Sequence, residues 1–293
     1  MTTSITTDKL VAYKVMPTWD KATVPDLVLN QHNTMEGTWA KLTILAGQLR
    51  FSELTESGET LSETVFTPET PTPFVSPQAW HKVALLTDDS QFYITFYCQP
   101  EDYFSKKYNL GKTHSEVLAA APLWESGKVL DLGAGSGRNS LYLAQQGHQV
   151  TALDRNPQGL ALIDDIAEQE QLDVTTGLYD INQAKLTDDY NVIISTVVLM
   201  FLQAERIPDV ITDMQNHTLP GGYNLIVCAM STDAYPCNLP FFGFTFSEGE
   251  LADYYKDWEV ITYNENLGHL HKRDANGNPI ALQFATLLAR KPL

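Results

Sequence analysis

Cysteine is scarce in this chain: Cys98, Cys228 and Cys237 are the three among 293 residues, and they stand far apart. An odd number at that spacing gives neither a disulfide framework nor a zinc-ligand pattern. Positive charge is scarce too, with 19 lysines and arginines against 36 acids, a net charge of −17. DNA or RNA would be repelled by such a field unless basic residues were gathered on one face. The longest basic run is His271-Lys272-Arg273, and the pairs Lys106-Lys107 and Arg290-Lys291 are isolated, so no nucleic-acid partner is expected. No apolar run approaches the roughly 18–20 residues of a membrane span. The first residues, Met1 to Asp8, have neither the basic nor the apolar region of a secretory signal. A cytoplasmic protein with no membrane association, acting on a small molecule, is the expectation.

Two halves of different character make up what is present. Leu42, Ile44 and Ala46 alternate with Lys41, Thr43 and Leu45, and Phe92, Ile94, Phe96 and Cys98 alternate with Tyr93, Thr95 and Tyr97. Period two with β-branched and aromatic residues is the strand signal. The proline-rich stretch from Thr67 to Pro77 can be neither a helix nor a central strand. Residues 1–100 therefore read as an all-β sandwich domain and 101–113, polar and aromatic, as a linker. From 114 to 293 helical and strand patterns alternate. Ser115 is placed to cap a helix carrying Val117 and Leu118, and strand 128–132 leads into a glycine turn. Arg138–Gln146 reads as a helix stopped by Gly147, followed by strand 149–153 and a helix with Leu160, Ile163 and Ile166 on one face. Val192–Thr196 is a buried strand, and Pro220-Gly221-Gly222 a turn into another. Strands at 258–263 and 283–289 close the chain as a hairpin. The pattern predicts an α/β, Rossmann-like domain, its sheet mostly parallel with an antiparallel C-terminal hairpin.

Residues 131–137 read Asp-Leu-Gly-Ala-Gly-Ser-Gly, and a second strand ends at Asp154. Such a turn lets backbone approach a ligand, and an acid closing the following strand suits two ribose hydroxyls. A nicotinamide site wants Gly-x-Gly-x-x-Gly, its helix N-terminus holding a pyrophosphate. Here the third glycine comes one residue early and Arg138 stands where that spacing would put a glycine. S-adenosyl-L-methionine has no phosphate and needs acids along successive strand ends. Asp131, Asp154 and Asp180 supply them in order.

This half resembles a class I S-adenosyl-L-methionine-dependent methyltransferase. Tyr103–Tyr108, Thr113–Val117, Arg138–Leu143, Ser195–Leu202 and Asp274–Asn278 narrow the resemblance to the tellurite-resistance methyltransferase family. Membership implies methyl transfer to tellurite, and to selenium oxyanions, with volatile methylated products and S-adenosyl-L-homocysteine left behind. It implies that Gly133, Ala134, Gly135, Arg138, Asn139, Asp154, Arg155, Asp180, Ile181 and Thr196 line the cofactor site with Asp131, and that Thr113 and His114 cover its methionine end. Tellurite attacks through a lone pair and has no proton that must leave, so positioning matters more than a base. An acidic protein must supply local positive charge to an oxyanion. Arg138, His271 and Arg273 are the chosen catalytic contacts, with Arg155 and Lys272 as further cations. A surface ion pair for Arg138 and a solvated loop for His271 and Arg273 are the alternatives. His269 is a weaker candidate, and Cys237 reads as a small apolar residue despite the thiophilicity of tellurium.

Residues 29–98 resemble a small cupin-like domain, through His32, Gly37-Thr38-Trp39 and Pro77–His81. His32, Glu36 and His81 are its obvious metal-ligand types, without a His-x-His pair, so no bound metal is expected. Transfer to a small organic acceptor, and a cofactor-responsive binding protein, remain as alternative functions. Oligomeric state is not legible.

Overall fold

The computed structural model describes residues 9–273 and 277–293, without the side chains of residues 271–273. Two compact units divide between Asn109 and Leu110.

In the first unit the strands are β1 (Val11–Val15), β2 (Trp39–Ala46), β3 (Leu49–Leu54), β4 (Thr60–Phe66), β5 (Phe74–Val75), β6 (His81–Leu85) and β7 (Gln91–Cys98). Two short helices, α1 (Asp26–Leu29) and α2 (Tyr103–Tyr108), complete it. A four-stranded sheet runs β1-β7-β2-β5 and a three-stranded one β4-β3-β6. The alternation in β2 and β7 puts Leu42, Ile44, Phe92 and Ile94 into one core with Leu49 and Phe51. Prolines 71 and 73 leave β5 two residues long at a sheet edge. The segment expected as a linker, 101–113, holds α2 instead: Tyr103 and Phe104 are buried, which gives its aromatic residues a packing role.

The second unit starts with α3 (Ser115–Ala120) and continues through β8 (Lys128–Leu132), α4 (Arg138–Gln145), β9 (Gln149–Asp154), α5 (Pro157–Glu170), β10 (Val174–Leu178) and β11 (Tyr190–Thr196). It ends with α6 (Ile207–Asn216), β12 (Thr218–Ala229), α7 (Glu250–Tyr254), β13 (Glu259–Arg273) and β14 (Pro279–Arg290). The sheet order is β10-β9-β8-β11-β12-β14-β13. β8 to β12 pair in parallel, and β14 runs antiparallel to both neighbours. This is the doubly wound sheet with a closing hairpin that the sequence predicts. Strand order reverses between β8 and β11, and at such a switch point a crevice opens beyond the carboxyl ends of the strands.

Local details depart from expectation. His114, not Ser115, caps α3, because its ring nitrogen Nδ1 accepts the Glu116 N–H at 3.2 Å. Pro220-Gly221-Gly222 forms no turn before β12 but an irregularity inside it: Tyr190 pairs with Thr218 and Val192 with Tyr223. α6 went unread, although Ile207, Val210, Ile211 and Met214 mark its buried face at helical spacing. The backbone of residues 271–273 lies in β13, where Arg273 faces Pro279, and not in a loop as expected.

One buried polar chain ties helices to the sheet. Tyr255 donates its hydroxyl to Asn224 Oδ1 at 2.8 Å, Asn224 Nδ2 donates to Thr218 Oγ1 at 2.6 Å, and Thr218 donates to the Met214 carbonyl at 2.7 Å. Tyr255 and Asn224 are fully buried. Burial pushes the Tyr255 phenol far above its ordinary range, so it stays a donor. Tyr255→Phe leaves Asn224 Oδ1 without its donor in the core and is expected to cost about 1–3 kcal/mol. Urea denaturation of the full chain measures it.

Candidate functional site

The glycine turn leaves β8 and folds onto the end of β9. The N–H groups of Gly133 and Ala134 both donate to the Leu153 carbonyl, at 2.8 and 3.0 Å. Gly133 has φ +90°, and a Cβ there would stand 2.5 Å from both methyls of Val198. Gly137, at φ +85°, caps α4, and a Cβ there would meet Ile163 of α5 at 2.5 Å. The early third glycine thus lets α4 and α5 close on each other. Asp154 accepts the Gly135 N–H on one oxygen and the Asn156 N–H on the other, both at 2.8 Å.

A cleft of about 220 Å3 opens over this turn. Gly133, Asp154, Arg155, Asp180 and Ile181 line it, with Val198 among its apolar wall. Asp180 uses one carboxylate oxygen to hold both the N–H and the side-chain amide of Asn182, at 3.0 and 2.9 Å. Two carboxylates on the rim of an apolar cleft fit a ligand with hydroxyls at one end and a flat apolar ring at the other. Of the two arginines singled out here, Arg155 lines this cleft and Arg138 a different one.

That second cleft, about 370 Å3, lies among His114, Arg138, Val197, Asn266, His269 and Phe284. Hydrogen bonds pin its near wall. Thr113 donates its hydroxyl to the Arg138 carbonyl at 3.1 Å, and the His114 N–H donates to Asn139 Oδ1 at 3.0 Å. Asn139 Nδ2 then donates to Thr196 Oγ1 at 2.9 Å. Burial, with Arg138 beside it, lowers the His114 imidazole from 6.5 to about 4. The ring is neutral near pH 7, and because Nδ1 accepts from Glu116, its proton sits on Nε2. Arg138 is half-buried. Among the described residues it forms no ion pair.

The residues singled out in the sequence therefore separate into three groups. Gly133, Asp154, Arg155, Asp180 and Ile181 meet in the first cleft, while His114 and Arg138 meet in the second. Thr113, Ala134, Asn139 and Thr196 are buried, and Asn139 with its partners braces the wall. Asp131 is buried as well, accepting the Ser140 hydroxyl at 2.6 Å. Side chains of His271 and Arg273 lie outside the described residues. Cys237 is half-buried against the main core, its N–H donating to Ser231 Oγ at 3.0 Å. In the first unit His32 and His81 face each other at 4.2 Å between ring centroids, each Nδ1 bonded to a backbone carbonyl. Glu36 lies exposed on the same unit. Reading the sequence missed Phe284 and Val197 as lining residues. For Phe284 the long register of the β13–β14 hairpin was the available signal; a valine gives no sign of its backbone angle.

Asp131 makes the site sensitive to pH in a defined sense. Burial raises its carboxyl from 3.8 to about 6. The folded state keeps the proton where the unfolded chain has lost it, so this group's contribution is full at low pH and fades as pH rises through that window. Asp131→Asn is therefore expected to be more stable than the wild type above about pH 6, by about 1–3 kcal/mol. His114 acts in the opposite sense, so the comparison is between the two proteins at each pH. Urea denaturation from pH 4 to 8 measures the difference, and equal stability at both ends would reject the buried charge as its cause.

A family model described as "Tellurite resistance protein TehB" matches residues 96–288, and one described as "TehB-like domain" matches residues 14–94. The "Probable S-adenosyl-L-methionine-dependent methyltransferase TehB" of Haemophilus influenzae (strain 10810) is 54% identical over 284 residues, covering 97% of this chain and 99% of that protein. A protein of Eikenella corrodens named "Hemagglutinin 1" is 48% identical over 240 residues, covering 82% of this chain and 80% of its own. The crystal structure of TehB from Haemophilus influenzae matches with a TM-score of 0.94 and 54% identity, covering 97% of this chain and 99% of that one. Both units, with the glycine turn and the closing hairpin, fall within these matches, and the chain belongs to the TehB family of S-adenosyl-L-methionine-dependent methyltransferases.

Proposed function

We propose that this chain methylates tellurite, with selenium oxyanions as further acceptors. The tellurium lone pair takes the sulfonium methyl group, S-adenosyl-L-homocysteine leaves, and the methylated oxyanion becomes a volatile species only after reduction by a cellular thiol outside this site. The observation that carries the acceptor is Arg138: a half-buried cation with no ion pair among the described residues, in a chain of net charge −17. Leaving such a group unpaired is costly unless a ligand completes it. An oxyanion held by the guanidinium gains a planar, paired contact.

In this reading the first cleft holds the cofactor, with Asp154 on the ribose hydroxyls and Asp180 with Ile181 at the adenine. S-adenosyl-L-methionine, when bound, supplies an electrophilic methyl group on sulfur. Arg138 attracts and orients the acceptor, and the neutral His114, expected from the resemblance at the cofactor's methionine end, is assigned here to the acceptor side, donating from Nε2–H. Arg273, whose backbone lies in β13, is assigned as a second cation for the oxyanion, and His271 on the same strand as a further polar contact. Thr113, Asn139 and Thr196 keep the His114 segment against α4, so that both donors are placed before the acceptor arrives. No residue has to take a proton from tellurite. The three cysteines are unpaired, which suits a reducing cytoplasmic compartment. Phe284 and Leu270 give the second cleft an apolar side. That side favours, as a second reading, a small organic acceptor.

Arg138→Met and Arg273→Met are each expected to lower kcat/KM on tellurite by about 10–100-fold, the worth of one charge-assisted contact. Arg273→Met should leave the affinity for S-adenosyl-L-homocysteine within about threefold, by calorimetry. Asp154→Asn should instead weaken that affinity by about 10–100-fold. Wild-type turnover on tellurite in both arginine variants rejects the oxyanion role. Transfer to an organic acceptor panel, and none to tellurite, favours the second reading.

A further inference from the structure

Val197 is the residue common to both clefts among the described residues. It is also in an unusual conformation. Besides glycines, positive φ occurs at Gln78, Asn109, Gln171, Ala184 and Val197. Val197, at φ 62°, is the β-branched one, and a β-branched residue in the left-handed region is a genuine outlier.

The surroundings over-determine that conformation. On one side Thr196 accepts the Asn139 amide at 2.9 Å. The Val197 N–H donates to the Val227 carbonyl of β12 at 2.7 Å. On the other side Val198 packs against Gly133, where a Cβ would stand 2.5 Å from its methyls. Strain held from three directions, at a cleft, marks a position whose geometry is used. Here the chain leaves β11 in a left-handed turn, and the half-buried Val197 lines both clefts.

We propose that Val197 is a specificity-determining residue: it separates the donor cleft from the acceptor cleft and limits the bulk of the nucleophile that can reach the donor. The assignment rests on the second cleft being the acceptor side. A wall of this kind admits small, compact nucleophiles and rejects those with a bulky group next to the attacking atom. One or two methyl groups in such a wall change discrimination by about 10–200-fold.

Two substitutions in the full chain test it. Val197→Ala removes the methyls and keeps a side chain in the left-handed region, whereas Val197→Gly removes the strain as well. Methyl transfer is measured to 2-mercaptoethanol and to benzenethiol, which differ in bulk beside the same nucleophilic atom, and separately to tellurite. The ratio of kcat/KM for benzenethiol over 2-mercaptoethanol is expected to rise at least about tenfold in both variants. Affinity for S-adenosyl-L-homocysteine should stay within about threefold of wild type, by calorimetry. Without any ligand, Val197→Gly should melt above Val197→Ala. A ratio that does not rise in either variant, including no detectable transfer to benzenethiol by any of the three proteins, overturns the assignment. So does Val197→Gly melting below Val197→Ala. Transfer to thiols but not to tellurite by the wild type rejects the tellurite reading, and the thiol ratio still decides the role of Val197.

Discussion

The bond between Gly135 N–H and the Asp154 carboxylate holds the site together, because it joins the two strand ends over which the ligand cleft opens. The Leu153 carbonyl adds two more bonds to the same turn, from Gly133 and Ala134. A parallel sheet offers no hairpin to connect β8 and β9, so the ends of these strands must be fixed by the turn that leaves one and the residues that close the other. Glycine at 133 and 137 makes this possible, since a side chain at either would strike Val198 or Ile163. From that junction the cleft, the entry of α4 and the approach of α5 all follow.

A second constraint is electrostatic. Acids outnumber lysines and arginines 36 to 19, yet Arg138 stands half-buried without an ion pair among the described residues. Its charge acts at short range in a partly desolvated cleft, where it counts for more than the diffuse field of the surface. Beside it, burial keeps His114 neutral and Asp131 protonated to higher pH than usual. Asp131 still carries its charge at neutral pH and partly offsets Arg138, while the neutral His114 adds no second positive charge.

Much of this was legible in advance, and for identifiable reasons. β8, α4 and β9 follow the apolar pattern and the glycines almost residue for residue, because those signals are local. Asp154, Asp180 and Arg138 could be named because each sits at a strand or helix end that the pattern locates. α6 carried the same kind of signal and was passed over. The cap on α3 could not be read correctly, since Ser115 and His114 are both adjacent to the helix start and the choice depends on which side chain reaches Glu116. The span of β13 was underestimated because Gly268 and the basic run interrupt its apolar alternation, while pairing with β14 carries it to Arg273.

By itself, the sequence determined the order of elements, the mostly parallel sheet and the turn over which a cleft opens. These depend on periodicity, glycine and capping within a few residues of one another. Only the tertiary structure decided that Asp131 and Asn139 are buried braces, that Arg138 lines a second cleft, and that Val197 stands between the two. Those outcomes depend on residues some 25 to 60 positions apart in the chain, such as His114 with Asn139 and Asn139 with Thr196. No local pattern records such pairings, because they exist only once the strands have fixed their neighbours.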